Sequence, residues 1–250
     1  MIADTLTEFN LYRRGGNNLS PLWLVPDQLK PDQPLTEQRR PNLSSDFLSK
    51  LCTALHRPPV APHDLPEGVR AENVIAYIYA VLHAPSYRAR YAEYLKSDFP
   101  RIPLAAIEGG SDFSAVWHAL VPLGQALIDL HLLRQVPAKL QANFPIQGSG
   151  MVEKPRYTEP KGLTPGRVWI NATQYFDGVP PETWGFKVGG YQVCEKWLKD
   201  RKGRTLTLDD VEHYNQVVAA LTRTRELMAQ IDTVANGTLW PLTTNKSEAD

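Results

Sequence analysis

The stretch MVEKPRYTEPKGLTPGRVWINATQYF, residues 151–176, decides the fold class. Met151 to Tyr157 and Arg167 to Asn171 are extended runs on either side of a loop rich in turn formers (Pro160, Gly162, Pro165, Gly166), which is the pattern of a β-hairpin. Thr173 to Phe176 reads as a third extended piece. Working outward, the flanks change period. Toward the N-terminus, Val74, Ile75, Ile78, Val81 and Leu82 recur at helical spacing until Pro85 stops them. A second helix is expected from Ser86 as N-cap to Lys96, making a helical hairpin. Ser111 or Asp112 is expected to cap a third segment through Val116, Trp117, Leu120, Leu127 and Leu133, kinked or restarted at Pro122. Toward the C-terminus, Gly189-Gly190 precede a helix through Trp197 and Lys199. The last helix starts at Thr207, with Asp209 and Asp210 in its first turn and Val211, Tyr214, Val218, Leu221 and Met228 as its apolar stripe. The fold class is therefore α+β: a helical N-terminal half, a small antiparallel sheet in the middle, and C-terminal helices.

Residues 1–70 are dominated by turns, from Gly15-Gly16-Asn17-Asn18 through nine prolines, with one helical candidate from Ser44 to Leu55. The expected organisation is a proline-rich wrapping segment over 1–70, a helical subdomain over 71–135, an α+β basic subdomain over 136–242 and a disordered tail over 243–250. Together these make one module. The 21 prolines in 250 residues favour a loop-rich fold over a long-helix bundle. No secretory signal is read in MIADTLTEFNLYRRGG, and the run Val74 to Leu82 is about half of the ~20 residues a bilayer span needs. A cytoplasmic protein without a membrane partner is expected. Cys52 and Cys194 are far apart and read as buried thiols.

Equal totals of 27 basic and 27 acidic residues hide an uneven distribution. Residues 1–130 carry 12 basic and 14 acidic side chains, residues 131–208 carry 12 and 6, and residues 209–250 carry 3 and 7. The basic third centres on KVGGYQVCEKWLKDRKGR (187–204), where Lys187, Lys196, Lys199, Arg201, Lys202 and Arg204 outnumber Glu195 and Asp200. Phosphates attract such clusters, because each neutralised charge releases counterions, and a Gly-Gly turn before a helix start allows close backbone approach to an anion. The alternative is a solvated helix end whose cations face the carbonyl dipole. Tyr191 and Gln192 lie within the block. Asn171, Gln174 and Tyr175 adjoin it, and Asn and Gln can bond an adenine edge in two places. Their other reading is turn chemistry. In HAPSYRARYAEYLKSDFPRIP (83–103), Arg88, Arg90 and Arg101 stand among tyrosines that read mainly as core.

Several chemistries lack their motifs. There is no GxxxxGK[ST], no GxGxxG after a strand and no GxSxG. The six histidines form no HxH or HExxH, and Glu159-Pro160-Lys161 spells a nuclease-like ExK with a proline in the middle. Neither a metal nor another cofactor is expected.

The strings YIYAVLHAPSYRARYAEYLKSDFPRIP (77–103), LIDLHLL (127–133) and VWINATQYFDGVPPETWGFKVGGYQVCEKWLKDRKGR (168–204), with the final helix, resemble the C-terminal specificity domain of type ISP restriction–modification enzymes. NNLSPLWLVP (17–26) resembles the junction after their methyltransferase domain. The resemblance runs from about residue 17 to 242. It implies a non-enzymatic target-recognition module that reads double-stranded DNA, in the setting of DNA methylation and phage defence, for a methyltransferase/ATPase chain or domain. Because no methyltransferase or Walker motif is found, a detached domain, remnant or separate subunit is expected. An assembly subunit without its own DNA binding is the alternative.

Overall fold

The computed structural model describes residues 20–26, 30–32, 34, 38–107, 112–137 and 142–242. The turn at Gly15 to Asn18, the Ser111 cap and the tail 243–250 lie outside them. The chain divides into two units, one formed by the described residues up to Ile128 together with those from Leu227 onward, the other by Asp129–Glu226. Residues from Leu227 onward, grouped by the sequence with 136–226, fall in the first unit. The reason is a set of polar ties: the Ser86 N–H and hydroxyl both donate to the Asp232 carboxylate (3.1 and 2.7 Å), and Trp240 Nε1 donates to Ser86 Oγ (2.9 Å).

In the first unit, β1 (Trp23–Leu24) pairs antiparallel with β2 (Arg40–Pro41). Trp23 Nε1 donates to Glu72 (3.1 Å), fastening this proline-rich stretch to the next helix. Helix α1 (Ser45–Ala54) starts where its cap predicts, with Ser44 Oγ accepting the Phe47 N–H, and buries Leu48, Leu51 and Cys52. Helix α2 (Ala71–His83) ends at Ala84, the residue before Pro85, as proline sterics require. Helix α3 (Pro85–Arg90) is shorter than expected and has Pro85, not Ser86, at its entry. Ser86 is buried inside it, and a 3₁₀ turn at Tyr94–Lys96 replaces the expected continuation.

Helix α4 (Phe113–His131) runs through Pro122 as one element rather than restarting there. By length and composition it could cross a bilayer, which the shorter run at Val74 did not suggest. One side of it packs against α2. A Cβ on Gly124 would lie 1.8 Å from the Ala76 carbonyl oxygen, so the two backbones touch there, and Tyr77 packs against Trp117 (5.0 Å) and Phe113 (5.7 Å).

In the second unit, β3 (Arg156–Thr158), β4 (Arg167–Trp169) and β5 (Tyr175–Asp177) form an antiparallel sheet in that order. Strand β3 is shorter than Met151 to Tyr157 because Pro155 has no N–H for a ladder. Its neighbour Met151 instead bridges to Thr205. One face turns Val168 and Phe176 into a core with Val152, Ile170, Cys194, Leu198, Tyr214 and Val218. After α5 (Pro181–Trp184), β6 (Lys187–Val188) and β7 (Tyr191–Gln192) make a two-stranded ribbon leading into α6 (Val193–Lys199). Helix α7 (Leu208–Ala235) begins in this unit at a reciprocal cap: Thr207 Oγ1 accepts the Asp210 N–H while Asp210 accepts the Thr207 N–H, each at 3.1 Å. Helices flanking small antiparallel sheets establish the α+β class.

Candidate nucleic-acid interface

Two of the amides expected to read bases are interior. Asn171 is 8% exposed and Gln174 2%. Asn171 Oδ1 accepts the Thr173 and Gln174 N–H groups (3.0 and 2.7 Å), closing the turn between β4 and β5. Its Nδ2 donates to the Met151 carbonyl and to Gln174 Oε1, both at 3.0 Å. Gln174 Oε1 also accepts the Gly150 N–H (2.8 Å), and Nε2 donates to the Ile146 carbonyl (3.1 Å). These groups stitch the 146–151 loop to the sheet, and no edge is left for a base. The turn-chemistry reading holds for both.

The Gly-Gly pair also serves a different purpose from the one expected. Gly189 (φ 56°) and Gly190 (φ 88°) are the two central residues of the β6–β7 hairpin, where positive φ at both positions is needed. An added Cβ would meet no atom, so backbone conformation alone calls for glycine. The helix begins three residues later, and the Val193 N–H is already bonded to the Phe186 carbonyl (3.1 Å). The turn therefore does not bring an anion to the end of α6. It presents Lys187, Val188 and Tyr191 outward, Tyr191 being 63% exposed. Gln192 is half-buried and its Nε2 donates to the Trp184 carbonyl (3.3 Å).

The cations of the block fall into three groups. Arg201 is a brace: its guanidinium lies 3.5 Å over the Trp197 ring, donates to the Trp197 carbonyl (3.2 Å) and pairs with Asp210 (3.2 Å). The Thr207 backbone N–H, with Arg201 behind it, holds the Asp210 carboxyl below the usual carboxylate range. Lys196 pairs with Asp200, and Lys199 with Glu195 (2.9 Å), one helical turn apart; both lysines and Asp200 are exposed and Glu195 is half-buried. Lys187, Lys202 and Arg204 are exposed and, among the described residues, make no ion pair. Both cysteines are buried, and burial pushes the Cys194 thiol up to about 12.

In the first unit Arg88, Arg90 and Arg101 are exposed, with Arg101 3.7 Å from Asp98. The tyrosines beside them divide. Tyr87 is buried and donates its hydroxyl to the Arg101 carbonyl (2.9 Å), Tyr91 is half-buried and Tyr94 is exposed. Among the described residues no group of His, Cys, Asp and Glu could hold a metal, and Glu159 and Lys161 lie on an exposed loop.

Residues 1–230 match the family model described as the Type ISP C-terminal specificity domain. The chain belongs to that family. No curated protein matches it. Among solved structures the specificity domain is similar to the ATP-dependent Type ISP restriction-modification enzyme LlaBIII bound to DNA, with 18% identity, TM-score 0.53 and 84% of this chain covered. The DrdV–DNA complex gives 21%, 0.54 and 78%. A nuclease-deletion mutant of the Type ISP enzyme LlaGI in complex with a DNA substrate mimic gives 24%, 0.46 and 65%. The chain spans 14%, 20% and 16% of those chains respectively.

The specificity domain also presents residues the sequence reading passed over. The face of the β3–β5 sheet opposite the core carries Arg156 over the Trp169 ring (4.5 Å), Trp169 against Tyr175 (4.6 Å), and Arg167 over Tyr175 (4.4 Å) and paired with Asp177 (2.8 Å). Tyr175, which had been singled out, is the middle of this ladder. The signal was present in the alternation of Arg167, Trp169 and the pair Tyr175, Asp177 around buried Val168 and Phe176.

Proposed function

We propose that this chain recognises a specific sequence in double-stranded DNA on behalf of a type ISP methyltransferase/ATPase, supplied as a partner chain or a further domain, in the cytoplasm and as part of defence against phage DNA. Membership of the specificity-domain family carries the reading. A specificity domain is a non-catalytic recognition module. The residues suited to it are those with bonding capacity left over. Lys187, Lys202 and Arg204 can face phosphates at once. Exposed Lys196 and Lys199 can exchange their i,i+4 carboxylate partners for phosphates at little loss, since such surface pairs contribute about 0.3–0.5 kcal/mol. A two-stranded ribbon fits the major groove, which makes exposed Tyr191 the base-facing side chain of the block, while Gln192, on the other face of the ribbon, ties it to the Trp184 carbonyl.

The test is selection of a preferred duplex from a randomised pool by the full chain, followed by salt titration of Kd. Alanine at Lys187, Lys202 or Arg204 is expected to weaken binding to all duplexes alike and to lower the salt slope by about 0.9 per lost contact. Unchanged affinity and slope in all three folded variants would remove the block from the DNA face.

A further inference from the structure

The loop joining β3 to β4, EPKGLTPG (159–166), has a construction that the framework of the sheet does not require. Seven consecutive residues, 159–165, are exposed, and Leu163 at the tip is fully exposed. The tip is nonetheless ordered by its own bonds. Lys161 and Thr164 exchange both backbone hydrogen bonds at 3.0 Å around Gly162-Leu163, with positive φ at Gly162 only, the signature of a type II′ turn. Pro160 and Pro165 stiffen the two limbs by fixing φ. At the root, the Tyr157 hydroxyl donates to the Val179 carbonyl (2.7 Å) and its ring stacks on Trp184 (5.4 Å). A turn this exposed would normally present a polar side chain; here it presents leucine beside a lysine.

Resting on the DNA-recognition reading above, we propose that this hairpin enters a groove of duplex DNA and places Leu163 as an apolar wedge against the bases, with Lys161 and Arg156 on the flanking phosphates. The limb from Glu159 to Gly162 is four residues, about 13 Å at ~3.3 Å per residue, which is enough to pass a groove about 7.5–8.5 Å deep. Apolar side chains used this way partly unstack a base step and bend the duplex. Pre-ordering by prolines and the closed turn means little freedom is lost on insertion. Lys161 and Arg156 are exposed without an ion-pair partner among the described residues, and Arg156 is propped on Trp169. The loop's acid, Glu159, stands at the base of the limb.

The experiment uses the full chain and the duplex it selects, with 2-aminopurine stepped through the site. Leu163→Ser is expected to weaken binding about tenfold or more, to abolish the 2-aminopurine fluorescence rise at one step, and to leave the salt slope unchanged. Leu163→Phe should stay within about threefold of the parent. Lys161→Ala should instead lower the slope by about 0.9. Because Leu163 touches no core, its variants should melt like the parent. DNA binding by the parent with no change in affinity or fluorescence for Leu163→Ser overturns the wedge alone. That result together with lost association with a methyltransferase chain would assign the tip to a protein. Absence of any DNA binding by the parent overturns both readings.

Discussion

Replacing Gln174 with Ala separates a framework amide from a base-reading one, because the two roles differ in what is lost. In the structure the change leaves the Gly150 N–H, buried at 2.8 Å from Oε1, without an acceptor. An unsatisfied buried donor costs about 1–3 kcal/mol. The Ile146 carbonyl loses the Nε2 donor, but Ile146 is 38% exposed, so water can replace it at a cost of about 0.5–1 kcal/mol. Asn171 Nδ2 keeps the Met151 carbonyl at 3.0 Å, so its loss is small. With the cavity left by the γ-methylene and the carboxamide, the expected destabilisation is about 2–4 kcal/mol. For a chain of this size that lowers Tm by roughly 5–15 °C. The assay is urea unfolding followed by competition binding against a panel of single-base-pair substitutions, run where the variant is fully folded. Stability should fall and the ranking of the panel should not change. Stability within about 0.5 kcal/mol of the parent, combined with relaxed discrimination at one base pair worth ~1–3 kcal/mol, would return Gln174 to the DNA face and refute the argument.

Two further outcomes follow from the geometry. Gly124→Ala puts a methyl 1.8 Å from the Ala76 oxygen and 2.6 Å from its carbonyl carbon, both backbone atoms, so helices α2 and α4 must separate. The cost should reach or pass the upper end of the usual ~1–3 kcal/mol for overpacking, seen as a lower urea midpoint, and an unchanged midpoint would mean the helices do not touch there. Asp210 has its folded carboxyl below its ordinary value of 3.8, so its contribution is complete above that pH and is lost as pH falls through the lower, folded value. Acid titration should therefore show the parent losing its advantage over Asp210→Asn below about pH 4; a constant gap between the two from pH 6 down to 2 would contradict the assignment.

What could be read in the sequence was what is local. Ser44 and Thr207 cap helices because the hydroxyl and the N–H it accepts are three residues apart, and the β3–β5 sheet follows from alternation and turn formers between Arg156 and Asp177. What could not be read depends on partners far along the chain. Ser86 looks like a cap, yet Asp232 lies 146 residues away and takes both its donors. Gln174 looks free until the loop carrying Gly150 folds over it. Arg201 is one of six cations in the block by composition, and only the position of Asp210 and the Trp197 ring makes it a brace. Pro122 carries a stop signal that the packing of α4 overrides. The same limit applied to the candidate site: spacing found the basic block but could not rank its members, since ranking depends on which cations are already paired.

That ranking has a physical consequence for how such a unit binds. Polar groups already satisfied within the chain have nothing to offer a ligand without breaking a bond of similar strength, so Asn171, Gln174 and Arg201 spend their capacity on the frame. Spare capacity is concentrated at three turns of the second unit: 161–164, 187–192 and 202–204. Each turn is held by backbone bonds close to it: Lys161 with Thr164, Val193 N–H with the Phe186 carbonyl, and Gly203 N–H with the Val152 carbonyl at 2.7 Å. Binding through flexible side chains on flexible loops would lose about 0.5–1.5 kcal/mol for each rotamer-rich side chain immobilised, in addition to the ordering of the loop itself. With the loops already ordered, only the side-chain part of that loss remains. The interior amides therefore act on recognition indirectly, by fixing the loops and sheet from which the exposed turns project.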